Sequence, residues 1–238
     1  MENITRRSFV STAATGIAAL GLFSGASDPA EAQLVWTASD WKLAEFDKLV
    51  HHPARIKQVW DVVNIGGGKV LSDIKNALNG LHYGYGVPTD QIKIAAALHG
   101  PANMLNYDDY VWEKYGIGEW LGITDPETQK PAVRNIFYNS KNGIQKESAP
   151  KDPNDPDSIF QNPSIEALQS RGVQFMSCHT ATEEQARVLV KRNKLSQAPE
   201  EIVKDMLAHT QPNVLVNASM VSAIALMQAE GHYTYITL

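Results

Sequence analysis

The order of apolar segments predicts a three-layer α/β/α sandwich on a mainly parallel sheet of five strands. Three observations carry that prediction. Short β-branched or apolar runs alternate with stretches whose apolar residues recur at helical spacing, the signature of βαβ units. One of those runs, Ile92–His99, has almost no polar interruption, as expected of a strand covered on both faces. Glycine and proline turns, Gly66-Gly67-Gly68, Gly100-Pro101, Gly172 and Gly231, punctuate the alternation.

Taken in order, Trp36–Leu49 is amphipathic, with Trp41, Leu43, Phe46 and Leu49 among charges, and predicts a short helix ended by His51-His52-Pro53. Ile56–Asn64 is the first strand. Val70, Leu71, Ile74, Ala77, Leu78 and Leu81 then recur at helical spacing up to Gly84. After the second strand, Ile92–His99, Gly100-Pro101 turns the chain into a helix over Ala102–Tyr115. Ile165–Ser170 is helical and Gly172 stops it. Val173–Ser177 is the third strand, followed by helices over Thr182–Asn193 and Pro199–His209, the latter with proline near its start. Val214–Asn217 is the fourth strand, Met220–Glu230 a helix, and Tyr233–Ile236 the last strand. The alternation is interrupted from Gly116 to Pro163, an insertion rich in proline and aspartate around Pro150–Asp157. Inside it, Asn135–Tyr138 and the following Asn139–Gly143 suit a small hairpin. A connection this long is a lid, an assembly arm or a disordered segment.

The chain opens on Thr5-Arg6-Arg7-Ser8-Phe9-Val10, a small-residue apolar run from Ser11 to Gly25, and Ala30-Glu31-Ala32. This resembles a twin-arginine export signal, Val10 standing where leucine is more usual, with cleavage after Ala32. The apolar run is too short, and too rich in Ala, Gly and Thr, to span a membrane. Residues 1–32 are thus read as a signal, 33–238 as one domain, and the compartment as the periplasm. With 238 residues, 43% hydrophobic and 20% charged, the composition is that of a globular protein. The net charge of −5 and the lack of a basic run argue against nucleic acid and anionic membranes as partners. A single cysteine, Cys178, excludes an intrachain disulfide.

In open parallel sheets ligands bind beyond the carboxyl ends of the strands. The polar residues there are Asn64, His99, Cys178 with His179 and Thr180, and Asn217 with Ser219. Cys178 ends a strand just before a helix, where backbone N–H groups and the helix dipole favour a thiolate. Thr180-Ala181-Thr182-Glu183 and Thr182-Glu183-Glu184-Gln185 each fit a capping box for that helix. The cysteine is either a reactive thiol or a buried, inert one. His99 either handles a proton or shapes the Gly-Pro turn. The Gly66-Gly67-Gly68-Lys69 run lacks the spacing of a phosphate loop or a dinucleotide fingerprint, which leaves a flexible turn or an anion nest. His51-His52 has no E-x-x-H or cysteine-pair context for a metal. His82, His209 and His232 have no motif context. No metal or cofactor is expected.

Three segments together resemble the DsrE/DsrF-like family. They are Ala97-Leu98-His99-Gly100-Pro101, Arg171-Gly172-Val173-Gln174-Phe175-Met176-Ser177-Cys178-His179-Thr180, and the close from Asn217-Ala218-Ser219-Met220 through Gln228-Ala229-Glu230-Gly231-His232-Tyr233-Thr234-Tyr235-Ile236. The resemblance covers about 56–115 and 165–236, leaving the insertion unmatched. It implies a flavodoxin-like fold, assembly into homo-oligomers (trimers or hexamers), and sulfur relay through a cysteine persulfide. Carried onto this chain, it makes Cys178 the sulfur carrier, with His99, His179 and Thr180 beside it. A small sulfur compound or a partner thiol protein would be the counterpart. Ser219-Met220 departs from the Ser-Gly of many relatives. The alternative is a non-enzymatic module that binds a small ligand or assembles, with an inert cysteine.

Overall fold

A computed structural model describes residues 41–139, 150 and 152–237. The export-signal reading, the first residues of the predicted N-terminal helix and part of the insertion lie outside these residues. Helix α1 spans Leu43–Val50, β1 Ile56–Val62, α2 Lys69–Asn79, β2 Ile92–Leu98, α3 Asp109–Lys114, α4 Ile117–Leu121 and α5 Ile165–Ser170. They are followed by β3 Gln174–Cys178, α6 His179–Asn193, α7 Pro199–Ala208, β4 Leu215–Asn217, α8 Met220–Ala229 and β5 Thr234–Thr237. The five strands form one sheet in the order β4-β3-β2-β1-β5, and every pairing is parallel. This is the α/β/α sandwich that the alternation predicts, of flavodoxin-like type.

The order explains which helix covers which face. From β1 through β4 the chain steps steadily across the sheet, and crossovers of one hand place their helices on one side. The step from β4 back to β5 runs the other way and sends α8 to the opposite side. Strand residues alternate accordingly. Trp60, Val62, Ile94, Ala96, Leu98 and Phe175 face the first side, with Ile74 and Leu78 of α2, Leu189 of α6 and Ile202 and Met206 of α7. Val59, Ala95, Ala97, Met176, Cys178 and Leu215 face the second, with Leu49 and Val50 of α1 and Met220, Ala223, Ile224 and Met227 of α8.

Two predicted elements differ. The helix expected over Ala102–Tyr115 is a 3₁₀ segment, Gly100–Asn106, and then α3. The break falls at Tyr107, which leaves the helix to form an antiparallel bridge with Thr210, while Asp108 restarts it by accepting the Val111 N–H at 3.3 Å. The second difference is in the insertion. Asn135–Tyr138 is a turn rather than a strand, closed by the Tyr138 N–H on the Asn135 carbonyl at 3.2 Å. The Asn135 amide is buried and donates to the Leu105 and Tyr107 carbonyls at 3.0 and 2.8 Å. Ile117 and Ala132 join the first-side core, and Gly118 lies so close to the Ala132 backbone that a Cβ there would come within 2.2 Å of it. At Ile117, Ala132 and Asn135 the insertion is therefore packed into the molecule. Among the described residues no helix is long and apolar enough to cross a membrane.

Candidate functional site

Cys178 ends β3 and is itself the N-cap of α6. The first N–H groups of a helix have no partner within it. Here the cysteine sulfur supplies one, accepting from the Ala181 N–H at 3.5 Å. The capping boxes expected at Thr180 and Thr182 do not form, because the helix starts at His179 and both threonines lie inside it. Thr180 instead ties α6 to the β4–α8 connection: its N–H and its hydroxyl donate to the Ala218 carbonyl at 3.3 and 3.0 Å.

The sulfur has a second donor, the Met220 N–H at the start of α8, at 3.4 Å. Helices α6 and α8 leave neighbouring strands for opposite faces of the sheet. The carboxyl ends of β3 and β4 are thus a topological switch point, where open α/β sheets form their crevice. Sγ lies between two helix starts, whose N–H groups and dipoles stabilise negative charge on it. It is also well covered. Cys178 is 5% exposed and belongs to the second-side cluster with Met176, Ala181, Met220 and Ala223.

Behind the cysteine is a buried polar network from the 3₁₀ segment. The Asn103 side chain, fully buried, accepts from the Cys178 N–H at 3.1 Å and the Ser177 hydroxyl at 2.9 Å. Its amide faces Thr182 Oγ1 at 3.1 Å, Gln185 Oε1 at 3.2 Å and the Cys178 carbonyl at 3.4 Å. Thr182 donates back to that carbonyl at 3.0 Å and meets the Tyr107 hydroxyl at 2.6 Å. Gln185 closes the network by donating to the Gly100 carbonyl. Buried polar groups have to be paired. Here the pairing fixes the peptide on either side of Cys178.

His99 follows the last residue of β2. Its Nε2 is 2.6 Å from Asp61 Oδ1 of β1, and the other carboxylate oxygen accepts the Tyr235 hydroxyl of β5 at 2.5 Å. That hydrogen bond is the main cause holding the Tyr235 phenol above its usual pKa. The structure therefore strings three side chains across three strands on the second side of the sheet. Sequence reasoning found only the histidine. The signal for Asp61 was a lone acidic residue in an otherwise apolar stretch, Val59-Trp60-Asp61-Val62-Val63. Asn103 and Asn106 stand in the same way within Ala102–Tyr107.

His179 is buried at the first position of α6, with Nδ1 3.3 Å from Glu183 Oε1 and its ring edge-on to Trp41 at 5.3 Å. Burial pushes the imidazole below its ordinary pKa, and the Glu183 charge opposes that. Trp41 also lines a cleft of about 120 Å³ whose other walls include Phe46, Asn217, Ala218, Ser219 and Leu226. Asn217 and Ser219 thus share one cleft, and Ser219 directly precedes Met220, whereas Asn64 is exposed and does not line it. The Gly66–Gly68 run is a left-handed turn, with φ of 52°, 64° and 80°, and the Phe137 ring seats on Gly68. His52 Nδ1 accepts the Ala54 N–H, His82 bonds the Val87 carbonyl and His209 pairs with Asp108. Among the described residues no group of three or more His, Cys, Asp or Glu side chains could hold a metal.

Set against family models, curated proteins and solved structures, the chain finds no match in any of the three.

Proposed function

We propose that the protein is a periplasmic, DsrE/DsrF-like sulfur carrier in which Cys178 is loaded with one sulfur atom as a persulfide. The supporting observation is that Cys178 Sγ receives N–H groups from two helix starts at the switch point. A thiolate and a terminal persulfide sulfur are both anions, and both gain from that setting. In loading, the thiolate attacks a sulfane sulfur. With polysulfide a new S–S bond forms at Cys178, one inside the donor breaks, and its electron pair leaves on the shortened polysulfide anion. With thiosulfate the leaving group is sulfite. In delivery a partner thiolate attacks the outer sulfur and Cys178 departs as thiolate. No external oxidant or reductant enters either step.

Loading is tested by intact-mass spectrometry of the folded protein after exposure to polysulfide or thiosulfate. The expected result is a gain of about 32 Da, one sulfur, that dithiothreitol removes and Cys178→Ser lacks. No gain, or an equal gain in Cys178→Ser, overturns the proposal.

The burial of Cys178 favours a second reading. In it the cysteine is an inert helix cap and the cleft beside Trp41, Asn217 and Ser219 takes a small ligand. Native protein would then resist a small maleimide at Cys178, whereas the carrier reading requires that it react. Both readings have the chain assemble with copies of itself. In support, α8 presents Val221 and Leu226 to solvent at 70% and 43% exposure, and β5 is an edge strand with mostly exposed residues.

A further inference from the structure

We infer that Tyr235 and Asp61 are positioning residues that hold His99 in the tautomer able to take the proton of Cys178. This rests on the carrier reading. Its first support is register. The last β2–β3 pair is Leu98 with Ser177, so His99 and Cys178 come next, side by side at the carboxyl ends of adjacent parallel strands. The His99 N–H donates to the Val62 carbonyl at 3.0 Å, which keeps its backbone aligned with the sheet beyond the end of β2. Strands in a sheet lie about 4.8 Å apart, so side chains at matching positions on one face are neighbours.

The face is the second support. Asp61 lies between Trp60 and Val62, which face the first side, and so belongs to the second side with Val59. Tyr235 is paired in register with Val59. Cys178 is on that second side as well. His99 reaches Asp61 and therefore stands on the cysteine's side of the sheet. From β5 through β1 to β2 the residues Tyr235, Asp61 and His99 thus form a diagonal that rises two residues at each strand, and Cys178 of β3 stands level with His99.

Hydrogen-bond roles set the direction of proton flow. Tyr235 donates to Asp61, which leaves the carboxylate an acceptor toward the imidazole. The His99 proton therefore sits on Nε2, and Nδ1, which has no hydrogen bond among the described residues, carries the lone pair. In the step, the Cys178 S–H bond breaks, its proton passes to Nδ1, and the resulting imidazolium is held by the Asp61 carboxylate. The thiolate left behind is received by the Ala181 and Met220 N–H groups. Atoms and charge balance within the protein. Of the titratable groups on these strands, Asp61 of β1 bonds His99, Tyr235 of β5 bonds Asp61, and the register sets Cys178 of β3 on the neighbouring strand.

The test is the pH dependence of iodoacetamide alkylation of Cys178 in the full chain, with ¹⁵N NMR of the histidine rings as an independent readout. In wild type the ring signals should report the Nε2–H tautomer for His99. At neutral pH His99→Gln should alkylate about 100-fold more slowly, as for loss of a general base. Asp61→Asn and Tyr235→Phe should be intermediate, and all should converge on wild type at alkaline pH, where hydroxide takes the proton. Tyr235→Phe removes one hydroxyl from a half-exposed ring and guards against misfolding. A wild-type Nδ1–H tautomer, or equal rates for His99→Gln and wild type, overturns this inference while leaving sulfur loading intact. Protein that neither alkylates nor loads sulfur overturns the carrier reading and this inference together.

Discussion

At the residue scale the site depends on Asn103. One fully buried amide side chain satisfies the Cys178 N–H and the Ser177 hydroxyl and approaches the Thr182 and Gln185 side chains. Leaving buried donors unpaired costs about 1–3 kcal/mol each. Asn103→Ala should therefore lower unfolding stability by about 3 to 4 kcal/mol, measured by urea denaturation. A change under about 1 kcal/mol would mean that the network relaxes or that water replaces the amide. Cys178 was legible in the sequence because it is the lone thiol at a strand end. Asn103 and Asp61 were not, because their partners lie 75 and 38 residues away in the chain and only the strand order brings them together.

At the element scale the instructive case is the start of α6. Two capping boxes were readable at Thr180 and Thr182, yet Cys178 caps the helix and Glu183 turns to His179. The sulfur wins because β3 runs into α6 without a loop, so the threonines have no non-helical position left to cap from. This first turn also has a pH signature. His179 is buried and its pKa lies below the unfolded value near 6.5, burial being the larger cause. Between the two values the unfolded chain binds the proton and the folded protein does not. Stability contributed by the neutral imidazole is thus complete above about pH 6.5 and is lost as pH falls below it. His179→Gln should flatten the decline in urea midpoint between about pH 7 and 5.5. An unchanged slope would show that other groups drive it. Boundaries elsewhere shifted for similar reasons: Tyr107 leaves its predicted helix for a bridge to Thr210, a long-range contact that no local pattern encodes.

At the scale of the whole molecule, alternation of strands and helices made the layered fold and its parallel sheet readable. The sheet order, with β5 returning beside β1, is not periodic information, and it is this return that creates the switch point at Cys178. The same return puts α8 on the second side, where α1 is the only other helix among the described residues, with apolar residues on its outer surface as well as its inner one. A helix apolar all round is normally covered. If copies of the chain cover it, Val221→Glu should lower the mass measured by size-exclusion chromatography with light scattering to that of a monomer, 26.2 kDa for the full chain before any cleavage. A wild-type protein already monomeric at that stage would contradict the assembly.

A carrier role requires that sulfur reside on Cys178 while the fold is intact. Peptide mapping after persulfide tagging of native protein exposed to polysulfide decides it most directly. The expected result is a tagged persulfide on the peptide holding Cys178, formed without loss of the far-ultraviolet circular dichroism of the folded state. An untagged cysteine in folded protein, modified only after urea unfolds the chain, would contradict it.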